Sequence, residues 1–151
     1  MKRIAFDDPE IAHYISEHAG CTYDPIRDHC AGIVDDGPLD STNKTRVKGG
    51  VLWTNYTHTS MMIHMAGEQG WCTRDMLWTA FHYPFVQLGC VELYAVLESA
   101  NETALKINLG LGFEVILVRP RMFASGAGLL LCMEREACRW LKIKPRSLKG
   151  N

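Results

Sequence analysis

The chain has 151 residues, a formal net charge of −1, and 47% apolar against 22% charged residues. That length suits one domain able to bury a sizeable core. The balanced charge gives no electrostatic case for nucleic acid or a membrane surface, and no apolar run reaches the roughly 20 residues a spanning helix needs. The opening Met1-Lys-Arg-Ile-Ala-Phe-Asp-Asp8 turns acidic too soon for a secretory signal. Six cysteines, at 21, 30, 72, 90, 132 and 138, form no CxxC pair. Reduced thiols and a cytoplasmic setting are therefore expected.

Residues 2–6 read as a short strand, and Asp7-Asp8-Pro9-Glu10 as a helix start with Pro near the first turn. Ile11, Tyr14, Ile15 and His18 fall on one face of that helix, which Gly20 ends. Residues 21–28 lack periodicity, 30–34 read as a strand, and the polar loop 37–48 is the segment expected to move. Strands follow at 49–53 and 60–66, joined through Asn55-Tyr-Thr-His58. Gly67-Glu-Gln-Gly70 turns into a helix over 73–85, whose apolar stripe is Met76, Leu77, Ala80, Phe81 and Phe85. The next stretch is the most patterned: a buried strand at 91–97, a helix over 100–111 with Ser99 or Asn101 as cap, and Gly112 as stop. Ala104, Ile107 and Leu111 are its expected inward positions. Phe113 opens another strand, 129–133 forms the last, and a short basic helix closes the chain. Element order gives a single α/β (α+β) domain over 1–151, with a mixed sheet, flanking helices and a basic tail from about 142.

Three motifs carry a resemblance. Asn101-x-x-Ala104 with Leu111-Gly112-Phe113, after a buried strand, resembles the GNAT superfamily of acetyl-CoA-dependent N-acetyltransferases. The run Trp71 to Cys90 and the ending Met133-Glu-Arg-Glu-Ala-Cys138-Arg139-Trp140-Leu141 are similar to a small bacteriophage-type branch, in which case the cytoplasm would be that of a bacterial host. The likeness covers residues 45–141.

The resemblance implies a sheet splayed between the fourth and fifth strands, and acetyl-CoA in the opening. Pantetheine would add to the strand edge by backbone hydrogen bonds at Ile63 to Met65, which would also face the thioester carbonyl. The pyrophosphate would sit at the next helix's N-terminus, on Gly70, Trp71, Cys72, Thr73 and Arg74. Asn101 and Asn108 would line the cofactor. His64, His58 or Glu68 acting through water are the candidate bases for deprotonating an amine. The two histidines also have structural roles open to them: His64 as a satisfied half-buried side chain, His58 as a loop residue. Glu92 and Tyr94 share a strand face that could line the acceptor side. The aromatics Trp71, Trp78, Phe81, Tyr83 and Phe85 are expected in the core.

The sequence departs from the family pattern in three places. The glycine-rich phosphate loop is reduced to Gly67-Glu-Gln-Gly70-Trp-Cys-Thr-Arg74. Asn108 stands where many members carry a general-acid tyrosine, and Asn cannot transfer a proton at ordinary pH. Ala104 stands where another branch carries a serine acid.

The expected activity is acetyl transfer from acetyl-CoA to a primary amine, of a small molecule or a protein, with a homodimer as a possible assembly. The alternative is a non-catalytic acyl-CoA-binding or virion-associated protein that keeps the fold. A zinc module built from His13, His18, Cys21, His29 and Cys30 matches no usual spacing. Gly110-x-Gly112 follows a helix rather than a strand, the reverse of a dinucleotide loop.

Overall fold

The cap and stop residues read from the sequence mark the element ends of the computed structural model, which describes residues 1–39, 45–143 and 145. After β1 (Lys2–Phe6), Asp8 caps α1 (Pro9–Ala19) by accepting from the Glu10 N–H, and Gly20 ends it in the left-handed region. Three strands follow, β2 (His29–Asp35), β3 (Val47–Thr54) and β4 (Ser60–Gly67). Thr73 caps α2 (Arg74–His82) through the Met76 N–H. Beyond β5 (Glu92–Glu98), Asn101 rather than Ser99 caps α3 (Glu102–Leu111), taking the Ala104 N–H at 3.1 Å. Gly112, at φ +114°, reverses the chain into β6 (Glu114–Phe123), which turns back as β7 (Gly126–Glu134). Part of the loop expected to move, residues 40–44, lies outside the described residues, as do Lys144 and the tail from 146.

The strands form one mixed sheet in the order β1-β2-β3-β4-β5-β7-β6. Every neighbouring pair is antiparallel except β4 with β5, which run parallel. That parallel pairing covers only Ser60–Met62 against Glu92–Tyr94, after which the two strands part. The expected splay between the fourth and fifth strands is thus present.

Side-chain alternation divides the core between the two faces. Ile11, Ile15, Val34 and Leu52 pack under α1, while Trp53, Phe81, Phe85, Leu93, Phe113 and Leu131 pack on the other face with α2. Pro84 sits where α2 gives way to a π-turn, Tyr83–Gln87. Having no N–H, Pro84 cannot close the helical bond to the Ala80 carbonyl; the buried Trp53 indole donates to that oxygen at 3.1 Å instead. The bond explains how a proline is tolerated there.

Two expectations fail. Ile107 is exposed, and the inward positions of α3 are Asn108 and Leu111. The closing helix is two short 3-10 turns, Arg135–Ala137 and Arg139–Lys142, separated by Cys138 in an extended conformation. Long-range bonds set that path: Arg139 donates to the Gly110 carbonyl, and Trp140 donates to that of Leu111 at 2.7 Å. The apolar residues 115–118 of β6 are exposed.

Candidate active site in the β4–β5 cleft

Where β4 and β5 part, each keeps one edge without a strand partner: residues 63–67 on β4 and 95–98 on β5. The gap is a cleft of about 480 Å³, lined by Ile63, His64 and Met65 on one wall and by Ala95, Val96 and Leu97 on the other. Asn101, Ala104 and Asn108 close one side from α3, and Glu17 to Gly20 reach it from the end of α1. A strand edge offers alternate N–H and C=O groups along its length, so the cleft suits an extended chain carrying amides of its own.

His64 stands on this cleft, half-buried, with Nε2 3.0 Å from the Thr54 hydroxyl. Burial lowers its pKa from the usual histidine value, and the charge of Asp28 opposes that only in part. The ring is therefore neutral at neutral pH, the state a base requires. Nδ1 is the ring nitrogen that Thr54 does not hold.

Asn108 is buried in the cleft wall. Its Nδ2 donates to the Ala104 carbonyl at 2.8 Å, while Oδ1 has no partner. An orphaned acceptor at this depth costs about 1–3 kcal/mol, which a donor arriving with a ligand would offset. Asn101 also faces the cleft, its side-chain oxygen already committed to capping α3.

The remaining nominated residues are not gathered here. His58 is exposed on the β3–β4 turn, at φ +75°, with its ring 4.8 Å from that of Tyr56. That turn precedes β4, whereas His64 lies toward its far, splayed end, so the two histidines occupy opposite ends of one strand. Glu68 lies 3.7 Å from Lys48 and lines a separate pocket of about 260 Å³ against β1.

Gly70, Trp71 and Thr73 border that second pocket too, not the cleft. Cys72 and Arg74 are exposed at the start of α2, and their N–H groups have no acceptor among the described residues. Asp75, also in the first turn, opposes an anion at this point. Trp71 spreads over the backbone of Gly49 and Gly67: a Cβ on Gly67 would stand 2.2 Å from the indole, and one on Gly49 2.6 Å. Gly67 thus serves the indole rather than a phosphate.

Glu92 and Tyr94 share a face as expected, and the Tyr94 hydroxyl donates to Glu92. That bond, with burial, pushes the phenol up to about 12. Residues 21–28 contribute Thr22, Tyr23, Asp24 and Asp28 to a further pocket of about 420 Å³, shared with Asn55 and Tyr56. Four of the five residues of the zinc alternative have separate partners: His13 with Glu17, His18 with the Tyr14 carbonyl, His29 with Asp7, and Cys30 with the Asp8 carbonyl. No group of three or more metal-ligating side chains occurs among the described residues.

Sequence reasoning passed over Thr54 and the end of α1. Thr54 was within reach of pattern, because in an antiparallel hairpin it shares the face of Leu52 and His64. The orphaned Asn108 oxygen had no sequence signal.

No protein-family model matches the chain, and no curated protein matches it significantly. Solved structures do match. A chimera of the Vibrio cholerae spermidine N-acetyltransferase SpeG with hSSAT superposes with a TM-score of 0.65 at 14% identity, over 89% of this chain and 96% of that one. A dodecameric structure of the V. cholerae spermidine N-acetyltransferase gives 0.64 at 11%, over 89% and 94%. The Escherichia coli ribosomal-protein-S18-alanine N-acetyltransferase gives 0.58 at 12%, also over 89% and 94%. The fold is that of the GNAT acetyltransferases.

Proposed function

We propose that this chain transfers the acetyl group of acetyl-CoA to a primary amine. The observation that carries the reading is the cleft itself: two strands that part after three paired residues, with a neutral His64 on one wall and the buried Asn108 behind another. The shared fold supports it, and the motifs at 71–90 and 133–141 point to the small bacteriophage-type branch.

In this reading the backbone at Ile63 to Met65 holds the pantetheine chain and donates toward the thioester oxygen, where negative charge develops. Asn108 Oδ1 accepts from one of its amides, and Asn101 lines the mouth. Arg74 and the open N–H groups of Cys72 and Arg74 hold the pyrophosphate. His64 takes the proton of the attacking amine as the C–N bond forms and the C–S bond breaks. CoA leaves as a thiolate, a good enough leaving group to depart without an acid from α3. Residues 21–30 shape the acceptor side; Asp24 and Asp28 would favour a cationic amine that gives up its proton on arrival.

One observation favours a second reading, an acyl-CoA-binding protein without turnover. Ala104 and Asn108 occupy the places of the family's proton donors, and the Nδ2 of Asn108 is spent on Ala104. Free-thiol release from acetyl-CoA across a panel of small amines and peptide N-termini separates the two. Release that depends on one acceptor class supports transfer; tight binding with no release on any acceptor supports the second reading.

A further inference from the structure

The two edges of the sheet are β1 and β6. β1 carries Lys2 and Arg3, the kind of charge that guards an edge against pairing. β6 carries the opposite. Val115, Ile116, Leu117 and Val118 are 41, 53, 45 and 57% exposed, an unusual apolar run to leave in water on a free strand edge. Glu114 and Arg119 frame the run, both exposed and without an ion-pair partner among the described residues.

We propose that a second copy of this chain covers β6, the two β6 strands pairing antiparallel about a two-fold axis so that the sheets run on as one. The bulge in β6 selects the register. Along β7, Glu114 lies opposite Cys132, Val115 opposite Leu131, Leu117 opposite Leu130, Val118 opposite Leu129 and Arg119 opposite Gly128, with Ile116 as the extra residue. Glu114, Leu117 and Arg119 therefore share one face of the sheet, and Val115 and Val118 share the other.

Antiparallel partners must stand on the same face. With the axis between Ile116 and Leu117, Glu114 meets the second copy's Arg119, Val115 meets Val118, and Ile116 meets Leu117. Each charged pair is opposite in sign and each apolar side chain meets another. Moving the axis onto Leu117 sets Val115 against Arg119, on opposite faces; moving it onto Ile116 sets Glu114 against Val118, with the same conflict. Pro120, which has no N–H to give, ends the pairing just past Arg119. The bulge and Pro120 together confine the contact to residues 114–119, so the edge joins one partner rather than growing a fibre. This inference is independent of the proposed chemistry.

Sedimentation velocity on the full chain at about 50 µM tests it, since mass action fixes the dimer fraction at a given concentration. The expected particle is twice 17.0 kDa. Arg119→Glu sets two carboxylates against each other and is expected to weaken association by about tenfold or more, while Glu114→Arg with Arg119→Glu restores it. Ile116→Lys, at an exposed position, is expected to give a folded monomer by circular dichroism. A monomeric wild-type chain would overturn the proposal. So would a dimer that ignores Arg119→Glu and Ile116→Lys, because the contact would then lie elsewhere.

Discussion

The Thr54 hydroxyl lies 3.0 Å from Nε2 of His64, across the β3–β4 hairpin and beside the opening between β4 and β5. The contact holds one ring nitrogen; in the tautomer whose Nε2–H donates to Thr54, Nδ1 is the nitrogen able to take a proton. Burial keeps the ring neutral. A neutral, oriented imidazole at the edge of a cleft is what amine deprotonation requires.

His64→Gln is accordingly expected to lower kcat about a hundredfold while leaving the KM for acetyl-CoA within a few-fold. On the proposed reading the wild-type rate should fall on the acid side, with a limb below the ordinary histidine value of about 6.5. Thr54→Val is expected to keep activity but move that limb. Steady-state kinetics across pH reads both. An unchanged kcat in His64→Gln would remove it as the base.

Asn108 gives a prediction of opposite signs for stability and binding. Asn108→Leu removes a buried acceptor that has no partner, at the loss of one bond to Ala104. Thermal unfolding should show the variant no less stable than wild type, and up to about 1 kcal/mol more stable. Calorimetry should show acetyl-CoA affinity reduced about tenfold. Equal affinity in the two proteins would mean that the oxygen does not serve the ligand.

Gly67 and Trp71 are expected to be coupled. Gly67→Ala drives a Cβ into the indole, so the ring must move, at about 1–3 kcal/mol and with a shift in tryptophan emission. In Trp71→Ala the same substitution should cost far less, which a double-mutant cycle in urea detects. Additive costs would contradict the packing account.

Acid stability should depend on Arg46, which reaches Asp8 at 2.8 Å, Asp36 at 3.2 Å and Glu10 at 3.4 Å. Burial alone would raise the Asp8 carboxyl, but the bonds from Arg46 and the Glu10 N–H hold it below its usual value. Asp36 is held low by Arg3 first and then by Arg46. A carboxylate whose folded pKa is depressed adds stability above its unfolded value of about 3.9 and loses it as pH falls through the folded one. Arg46→Leu should therefore lower the urea midpoint at pH 7 and flatten its decline below pH 4. The lowered His64 adds a second slope of the same sign, beginning near pH 6.5, because the unfolded chain binds that proton first.

Much of the fold was legible because the ends of its elements carry chemistry of their own. Asp8, Thr73 and Asn101 cap helices, and Gly20 and Gly112 take the left-handed turns that stop them. What escaped was set at long range. Ile107 has helical spacing yet is exposed, because the face of α3 that turns inward carries Asn108 beside the cleft and Leu111 in the core. The closing segment has helix-forming residues, but bonds from Arg139 and Trp140 to the end of α3 hold it in two short turns.

The site divides along the same line. Ile63, His64, Met65, Asn101 and Asn108 were assigned to the cleft by the resemblance, and the splay of the sheet brings them together. His58 and Glu68 have suitable chemistry, but one lies at the other end of β4 and the other is drawn to Lys48. Nothing in residue type or spacing distinguishes those cases from His64; only the direction in which the strand runs does.

Amide hydrogen exchange with and without acetyl-CoA tests the central claim most directly. Binding in the cleft predicts slowed exchange at Ile63 to Met65 and at the α2 start, Cys72 to Arg74, with the His58 turn unaffected. Binding that leaves Ile63 to Met65 unprotected, or no binding at all, would contradict it.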